Sequence, residues 1–145
     1  MRTKPDYWYR QSAVIPFRWN NKELEILTIT SRKKKKWIIP KGIVEENLSP
    51  FESAQKEALE EAGVTGNGTG KLVGKYKYKK WGGKCRVEVF SLEVETINKE
   101  WPENFRERKW VKFNELNKYI KSKKLMKILH VFFKFRKDII NNKNV

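Results

Sequence analysis

Three glutamates, Glu57, Glu60 and Glu61, stand at the spacing i, i+3 and i+4 in the sequence. On an α-helix this spacing places three carboxylates on one face within about one turn. Carboxylate oxygens are the ligands that a hard cation such as Mg²⁺ prefers, together with water and substrate phosphates. A solvated acidic stripe has the same spacing, so the glutamates alone do not decide between a metal site and surface charge. Their helix directly follows an apolar strand and a Lys-Gly loop, and that context favours the metal site.

The helix that carries the glutamates has a clear beginning and a clear end. Ser49 is a typical N-cap, Pro50 suits the first helical position, and Glu52 completes a capping box with Ser49. Gly63 suits the left-handed residue that ends a helix. We therefore expect a helix from about Pro50 to Ala62. Its apolar face, whose small side chains allow close packing against another backbone, consists of Phe51, Ala54, Ala58 and Ala62.

The glutamates lie in a strongly basic chain. The 145 residues include 33 Lys and Arg against 17 Asp and Glu, which gives a formal net charge of +16. The length fits a single domain over residues 1–145 with a sizeable core. The charge predicts polyanionic partners, of which a phosphorylated small molecule, nucleic acid and an anionic membrane surface are the candidates.

Cysteine content and hydropathy exclude several classes of protein. The lone cysteine, Cys85, excludes an intramolecular disulfide and a zinc site built from several cysteines. The polar residues 1–6 do not resemble a signal peptide, and no apolar run reaches the ~20 residues that cross a bilayer. We therefore expect a cytoplasmic protein without a transmembrane segment.

Patterns of apolar residues predict strands on both sides of the glutamate helix. The predicted strands are residues 7–19, 24–30, 37–40, 71–81, 84–96 and 108–113. Gly82-Gly83 is a hairpin signal, residues 66–70 form a flexible loop, and Asn114 caps a short helix. The last element, residues 123–140, is a basic amphipathic helix. Its apolar stripe consists of Leu125, Ile128, Leu129, Phe132, Phe135 and Ile139. The fold class is α/β, with a mixed sheet between helices and a C-terminal amphipathic helix.

Residues 42–64 resemble the Nudix box, the signature of the Nudix hydrolases. The pattern is Gly, five residues, Glu, seven residues, then Arg-Glu-apolar-x-Glu-Glu-x-Gly-apolar. The positions that match it are Gly42, Glu57, Ala58, Glu60, Glu61, Gly63 and Val64. Residues 37–42 resemble the strand and loop that enter the box. The order of strands and helices extends the resemblance over nearly the whole chain, which implies a Nudix fold.

Two positions depart from the pattern. The first Glu of the box is Leu48 here, and the Arg is Lys56. In the family these two residues tend to support the geometry of the loop and helix as a charged pair. We expect Lys56 to pair instead with Glu52 or Glu60, each four residues away on the helix. Because Lys lacks the bidentate fork of Arg, the resemblance implies retained metal binding with looser support of the loop.

The resemblance implies an enzyme that cleaves a nucleoside diphosphate linked to another group, using divalent metal ions. Glu57 and Glu61 would be the main metal ligands, with contributions from Glu60 and the backbone carbonyl of Gly42. The ion would be Mg²⁺, with Mn²⁺ as an alternative, and it would supply a bound water that attacks phosphorus. The candidates for the general base are Glu57, Glu61, Glu103 and Glu107.

Within the family, the chain most resembles diphosphoinositol polyphosphate and diadenosine polyphosphate hydrolases. The resemblance lies in residues 9–18, 30–42 and 85–89. It implies a substrate that is a diadenosine polyphosphate or an inositol pyrophosphate. The candidates for phosphate binding are Arg10, Ser31, Arg32, Lys41 and Arg86. Arginine suits this role because its planar fork matches phosphate oxygens.

Other interpretations stay open at this point. One is an RNA 5′-end pyrophosphohydrolase, and another is a non-catalytic binder of nucleic acid or membrane surfaces on a Nudix scaffold. Tyr76, Tyr78 and Trp81 have the character of base-stacking residues, although sheet packing is the commoner use of such alternating aromatics. His130, the only histidine, is expected to be structural.

Overall fold

An eight-stranded sheet forms the centre of the structure, a computed structural model that describes residues 1–33 and 35–140. Its strands are β1 (Arg10–Asn20), β2 (Glu23–Thr30), β3 (Trp37–Ile38), β4 (Lys41–Ile43), β5 (Val64–Asn67), β6 (Gly74–Lys80), β7 (Gly83–Ile97) and β8 (Arg108–Lys112). Their order is β3-β2-β1-β7-β5, with β4 paired to β1, β6 to β7 and β8 to β2. The sheet is mixed because β1 and β7 run parallel while their other neighbours are antiparallel.

Helices cover both faces of this sheet. On one face lies α1 (Pro50–Glu57), which continues as a π-helical turn over Ala58–Ala62. On the other lie α2 (Lys123–Lys134) and α3 (Arg136–Ile140), and a 3₁₀ helix (Phe113–Lys118) leads to them from β8. The predicted α/β architecture, with its C-terminal helix, is confirmed. No helix in the described part of the chain is long and apolar enough to cross a membrane.

The alanine face of the glutamate helix packs as predicted. Ala54, Ala58 and Ala62 are fully buried against a cluster that includes Val14 of β1 and Phe90 of β7. Side chains this small allow the helix to lie close to the sheet. The close packing fixes how the glutamates on the neighbouring face approach the strands below.

The beginning of the first predicted strand is wrong. Residues 7–9 belong to a 3₁₀ turn in which the Trp8 N–H donates to the Pro5 carbonyl at 3.0 Å. Tyr9 is fully buried, and its hydroxyl donates to the Trp81 carbonyl at 2.5 Å. Alternating aromatic residues indicate a strand, but these rings anchor the N-terminal segment to the β6–β7 hairpin.

Three further boundaries also differ from the prediction. Gly66 lies in β5, where a Cβ would overlap the Glu93 carbonyl, so this glycine permits strand pairing and does not mark a loop. The last helix breaks at Phe135, whose backbone leaves the helical region and whose side chain is 46% exposed. Phe135 therefore does not belong to the buried stripe, although Ile139 does. The strand predicted from residue 71 begins at Gly74.

Candidate active site

Two structural elements, β4 and α1, bring the residues that match the box pattern together. β4 pairs antiparallel with β1, and Gly42 lies opposite Ser12. At the start of α1, the Glu52 N–H donates to Ser49 Oγ at 3.1 Å, and the Ser49 N–H donates to the Glu52 carboxylate at 2.9 Å. The predicted capping box is confirmed, and it satisfies backbone N–H groups at the start of α1 that lack helical partners. Gly63 ends the helix in the left-handed conformation, with φ 67°.

Glu57 lies directly against Gly42. A Cβ at position 42 would overlap the carboxyl group of Glu57 where it now lies, so any larger residue would require Glu57 or β4 to move. The backbone of β4 and the carboxylate of α1 therefore face the same small volume. This contact explains why the pattern needs glycine at a position whose backbone is an ordinary strand.

Glu61 forms the second half of the acidic centre. It is 7% exposed, and its Oε1 accepts a hydrogen bond from the Lys41 N–H at 3.3 Å. Burial raises the pKa of Glu61, and a hydrogen bond with Glu57 and the charge of Glu57 raise it further. The pKa of Glu57 is also raised, first by burial. The two carboxyl groups are in contact and share an environment in which two full negative charges are costly.

The segment that carries these glutamates is wound as a π-helix from Ala58 to Ala62. Such turns are rare in proteins, and those that occur are often found at functional sites. Glu60, in the same turn, is half-buried, and its carbonyl accepts a hydrogen bond from the Glu103 N–H at 3.0 Å. The turn thus connects the helix to a later loop that brings in another carboxylate.

Glu103 is the later-loop carboxylate that the structure brings to the centre. Its negative charge contributes to the raised pKa of Glu57. Its Oε1 accepts from Arg106 at 2.8 Å and from Arg32 at 3.4 Å. Glu107, the other candidate from this loop, is exposed, and its backbone binds to Thr30.

The donor set fits a hard divalent cation. Two contacting carboxylates, a glycine backbone without a Cβ and a neighbouring third carboxylate are the oxygen ligands that Mg²⁺ prefers. Within residues 1–33 and 35–140, however, no three acidic, His or Cys side chains are already grouped as ligands of one ion. Beyond the effect of burial, Glu57 raises the pKa of Glu61, and a cation between the two carboxylates would offset their repulsion.

Two of the predicted phosphate-binding residues lie side by side on the sheet. Arg10 of β1 is the register partner of Arg86 of β7, and both are exposed. Arg10 lies two residues before Ser12, so its side chain leaves the sheet on the face where Glu57 meets Gly42. Arg10 Nη2 is 3.8 Å from Glu88 Oε1, a loose contact that leaves its other donors available.

Ser31 and Arg32 lie on the other side of the acidic centre, after the end of β2. Ser31 Oγ accepts a hydrogen bond from the Lys36 N–H at 2.9 Å, which closes the loop between β2 and β3. The side chain of Arg32 is 61% exposed and lies over the ring of Phe105. These two residues and the arginine pair therefore flank the carboxylates from opposite directions.

Lys41 points away from the carboxylates. Its Nζ donates to the Tyr78 hydroxyl at 2.9 Å, on the face of the sheet that packs against α2. Burial, and secondarily the charge of Lys80, lowers the pKa of Lys41 to about 8. Only the backbone N–H of Lys41 reaches Glu61. The Lys41 side chain, which was predicted to bind phosphate, therefore lies on the opposite face of the sheet from the acidic centre.

The aromatic residues of the β6–β7 hairpin are packing residues. Tyr76 and Tyr78 lie against the core cluster beneath α2, with ring centroids 6.2 Å apart. The Trp81 ring meets Trp8 edge-on at 5.1 Å. All three aromatic residues therefore have the packing role that the alternating sequence pattern favoured over base stacking.

Lys56 does not pair with Glu52 or Glu60, as the helical spacing predicted. Its Nζ lies 2.9 Å from Glu45 Oε2, and this interaction raises the pKa of Lys56. Glu52 is already engaged in the capping box, and the Glu45 N–H is held by Ser53 Oγ at 2.9 Å. The pairing crosses from the helix to the loop that enters it.

Sequence reasoning missed two buried serines of the site. Ser53 is fully buried and pins Glu45, and its signal was a small polar residue beside the alanine face. Ser12 is also fully buried, and its Oγ has no hydrogen-bond partner within the described residues. Because Ser12 is the register partner of Gly42, its hydroxyl lies on the Glu57 face of the sheet.

The sequence matches the NUDIX domain family over residues 8–132. The chain belongs to the Nudix hydrolase family. It is 38% identical over 118 residues to Nudix hydrolase 21, chloroplastic, of Arabidopsis thaliana, covering 74% of this chain and 58% of that protein. It is 30% identical over 123 residues to diphosphoinositol polyphosphate phosphohydrolase 3-beta of Bos taurus, covering 83% and 74% respectively. The chain thus spans little more than half of the length of the plant relative.

The fold is also similar to that of a solved structure, an Ap4A hydrolase of C. elegans, with a TM-score of 0.75. That similarity covers 88% of this chain and 97% of the other at 18% sequence identity, and it concerns the fold.

Proposed function

We propose that this Nudix hydrolase is a divalent-metal-dependent pyrophosphohydrolase that cleaves a phosphoanhydride bond in a polyphosphorylated substrate. A diadenosine polyphosphate or an inositol pyrophosphate is the favoured substrate. The observation that carries the proposal is the contact of Glu57 with both Gly42 and Glu61, in a centre flanked by arginines on two sides.

The residues of the centre have distinct roles in this proposal. Glu57, Glu61, Glu60 and the Gly42 carbonyl would hold Mg²⁺, with Mn²⁺ as an alternative. When bound, the ion supplies Lewis acidity and a water of lowered pKa. Glu103 is one candidate for the general base beside Glu57 and Glu61, and hydrogen bonds from Arg106 hold its carboxylate.

The basic residues would bind and orient the polyphosphate. Arg10 and Arg86 offer two planar donor groups from adjacent strands, and Arg32 offers a third from the opposite side. The net charge of +16 attracts polyanions to the protein and so raises their concentration near its surface. A substrate with many phosphates fits this distribution better than one with a single diphosphate.

The decisive experiment is phosphate or nucleotide release by the purified protein with Mg²⁺ from diadenosine tetraphosphate, a diphosphoinositol polyphosphate and 5′-triphosphorylated RNA. We expect turnover of one of the first two. Glu57→Gln and Glu61→Gln should abolish it, and EDTA should do the same to the parent protein. Glu100→Gln, a change of the same kind at an exposed glutamate, is the matched control and should retain activity.

Other outcomes assign the other functions. Preference for triphosphorylated RNA would make the protein an RNA 5′-end pyrophosphohydrolase. Salt-sensitive binding of RNA or anionic vesicles, unaffected by Glu57→Gln and without turnover of any compound, would show a non-catalytic polyanion binder. Neither outcome is compatible with the favoured substrates.

A further inference from the structure

A cavity lies beside the N-terminal end of β1. It is an open cavity of about 850 Å³ between the N-terminal 3₁₀ turn and the loop that joins β4 to α1. Its walls combine apolar and charged side chains. They are formed by Tyr7, Arg10, Ile43, Val44 and Leu48, with Glu45 and Glu46 beside them.

The cavity shares Arg10 with the proposed site of hydrolysis, because this residue also belongs to the arginine pair. The Val44 N–H donates to the Arg10 carbonyl at 3.0 Å, which extends the pairing of β4 with β1 by one residue. Since side chains alternate along a strand, Arg10 and Val44 lie on the face of the sheet where Glu57 meets Gly42. A ligand in the cavity that reaches Arg10 can therefore extend toward the acidic centre.

Leu48 is the residue that makes one wall apolar. It stands where the Nudix box has glutamate, and a turn presents it, with its N–H bonded to the Glu45 carbonyl at 3.2 Å and Asn47 left-handed at φ 54°. Because Lys56 pairs with Glu45, position 48 no longer needs a carboxylate. The departure from the box thus exchanges a charge for an apolar surface without leaving Lys56 unpaired.

The chemistry of the walls indicates what the cavity binds. Tyr7 is 62% exposed and offers an aromatic face to a planar group, and Ile43 and Leu48 offer apolar contact. Glu45 and Glu46 disfavour a phosphate inside the cavity, but a carboxylate accepts hydrogen bonds from an exocyclic amine. Arg10 at the edge suits a phosphate that leads into the acidic centre. A purine base with an attached phosphate chain satisfies all of these groups, whereas an inositol ring covered with phosphates does not.

We infer that this cavity binds an amine-bearing base at the non-reacting end of a dinucleoside polyphosphate. The inference rests on the proposed pyrophosphohydrolase function and deepens it by selecting the substrate class. Tyr7 and Leu48 are then specificity-determining residues, and the Leu48 departure selects for a substrate with two bases.

The test compares diadenosine tetraphosphate with adenosine 5′-tetraphosphate, which has the same number of phosphates and one base fewer. The quantity measured is the ratio of kcat/KM for the two compounds. We expect the parent protein to favour the dinucleotide, and Leu48→Glu and Tyr7→Ala each to lower the ratio about 10-fold, as expected for loss of one stacked base. Tyr7→Phe, which retains the ring, should keep the parental ratio. Leu72→Glu, the same change at an exposed leucine elsewhere, should also keep it.

Two results would overturn the inference. One is a parent protein that does not distinguish the two compounds; the other is variants that lower kcat/KM for both equally. If neither compound is turned over but a diphosphoinositol polyphosphate is, the proposed function stands and the inference is rejected. If none of the three is turned over, the proposed function fails, and calorimetric titration with Ca²⁺ in place of Mg²⁺ still measures binding. Tighter binding of the dinucleotide that Tyr7→Ala removes would then support the cavity assignment, and equal affinity would reject it.

Discussion

Lys56 Nζ lies 2.9 Å from Glu45 Oε2, so the charged pair of the Nudix box persists here with a different acidic member. The family pattern places that carboxylate at position 48, which is leucine in this chain. Ser53 holds the backbone of Glu45, and Lys56 holds its side chain. The loop between β4 and α1 is therefore fastened to the helix that carries Glu57, although both residues of the usual pair have changed.

The relocated pair predicts a coupled effect on catalysis. Glu45→Gln and Lys56→Gln should each lower kcat by roughly two- to fivefold, the range that an exposed ion pair supports, because the loop then positions Gly42 less firmly. The exchange of charges in Glu45→Lys with Lys56→Glu should recover part of the loss. Steady-state kinetics on diadenosine tetraphosphate measures both. Losses that add independently in the double Gln variant would contradict the coupling.

Glu57 and Glu61 predict a trade of activity against stability. Glu57→Gln and Glu61→Gln should lower kcat/KM by at least about 100-fold. Mutation of a residue that only hydrogen-bonds to a metal ligand already lowers activity by up to about 100-fold. In metal-free protein, the same changes should raise Tm by about 2–4 °C, because each removes one carboxyl from a close pair in which Glu61 is buried and Glu57 is half-buried. Calorimetry in EDTA measures the second effect. A drop in Tm would indicate that the pair stabilises the fold.

The sequence predicted the parts of this molecule that depend on local patterns. The capping box of Ser49 and Glu52, the alanine face and the left-handed Gly63 need only neighbouring residues, and all three are confirmed. The partner of Lys56 could not be predicted, because the spacing along the helix says nothing about a loop that folds back onto it.

The orientation of Lys41 could not be predicted from the sequence either, because it also depends on contacts between distant residues. Its side chain takes the opposite face from Gly42 because adjacent strand residues alternate, but the face that Glu57 occupies is set by packing of α1. The N-terminal aromatic residues have the alternation of a strand, yet contacts with the distant Trp81 hold them in a 3₁₀ turn. Long-range contacts decided each of these cases.

The arginine pair predicts a loss of substrate binding. Arg86→Ala should raise KM about 10-fold with little change in kcat, because one charge-assisted contact to phosphate is lost. Arg86→Lys should recover the charge but only part of the affinity, since it lacks the fork. KM should also respond less steeply to salt in Arg86→Ala. Lys99→Ala, a change at an exposed lysine, is the control and should leave KM near the parental value.

The Glu25–Arg18 pair predicts how stability depends on pH. Burial alone would raise the pKa of Glu25, but hydrogen bonds from Arg18 and Asn20 outweigh it and lower the pKa below 4.5. This pair therefore stabilises the fold above that pH, and its contribution disappears as the pH falls through the lowered pKa. Glu25→Gln should cost about 1 kcal/mol at pH 7, and the difference from the parent should shrink at pH 3.

Urea unfolding at the two pH values measures this difference. The matched control is Glu23→Gln, because Glu23 is exposed and lies 3.6 Å from Lys112. That change should stay within about 0.5 kcal/mol of the parent at both pH values. A cost for Glu25→Gln that does not depend on pH would show that the interaction is not ionic.

Gly42→Ala tests the contact on which the acidic centre depends. The added Cβ would overlap the Glu57 carboxyl, so Glu57 must turn away or β4 must shift, and either movement separates the carboxylate from the backbone of β4. We expect kcat/KM to fall by at least about 10-fold while the far-UV circular dichroism spectrum stays parental. Gly74→Ala is the matched control on another strand, because its Cβ would approach the Ile128 side chain at 3.2 Å, a close contact without the overlap found at Gly42. Equal activity in the two variants would mean that the Gly42–Glu57 contact does not matter for the proposed catalysis.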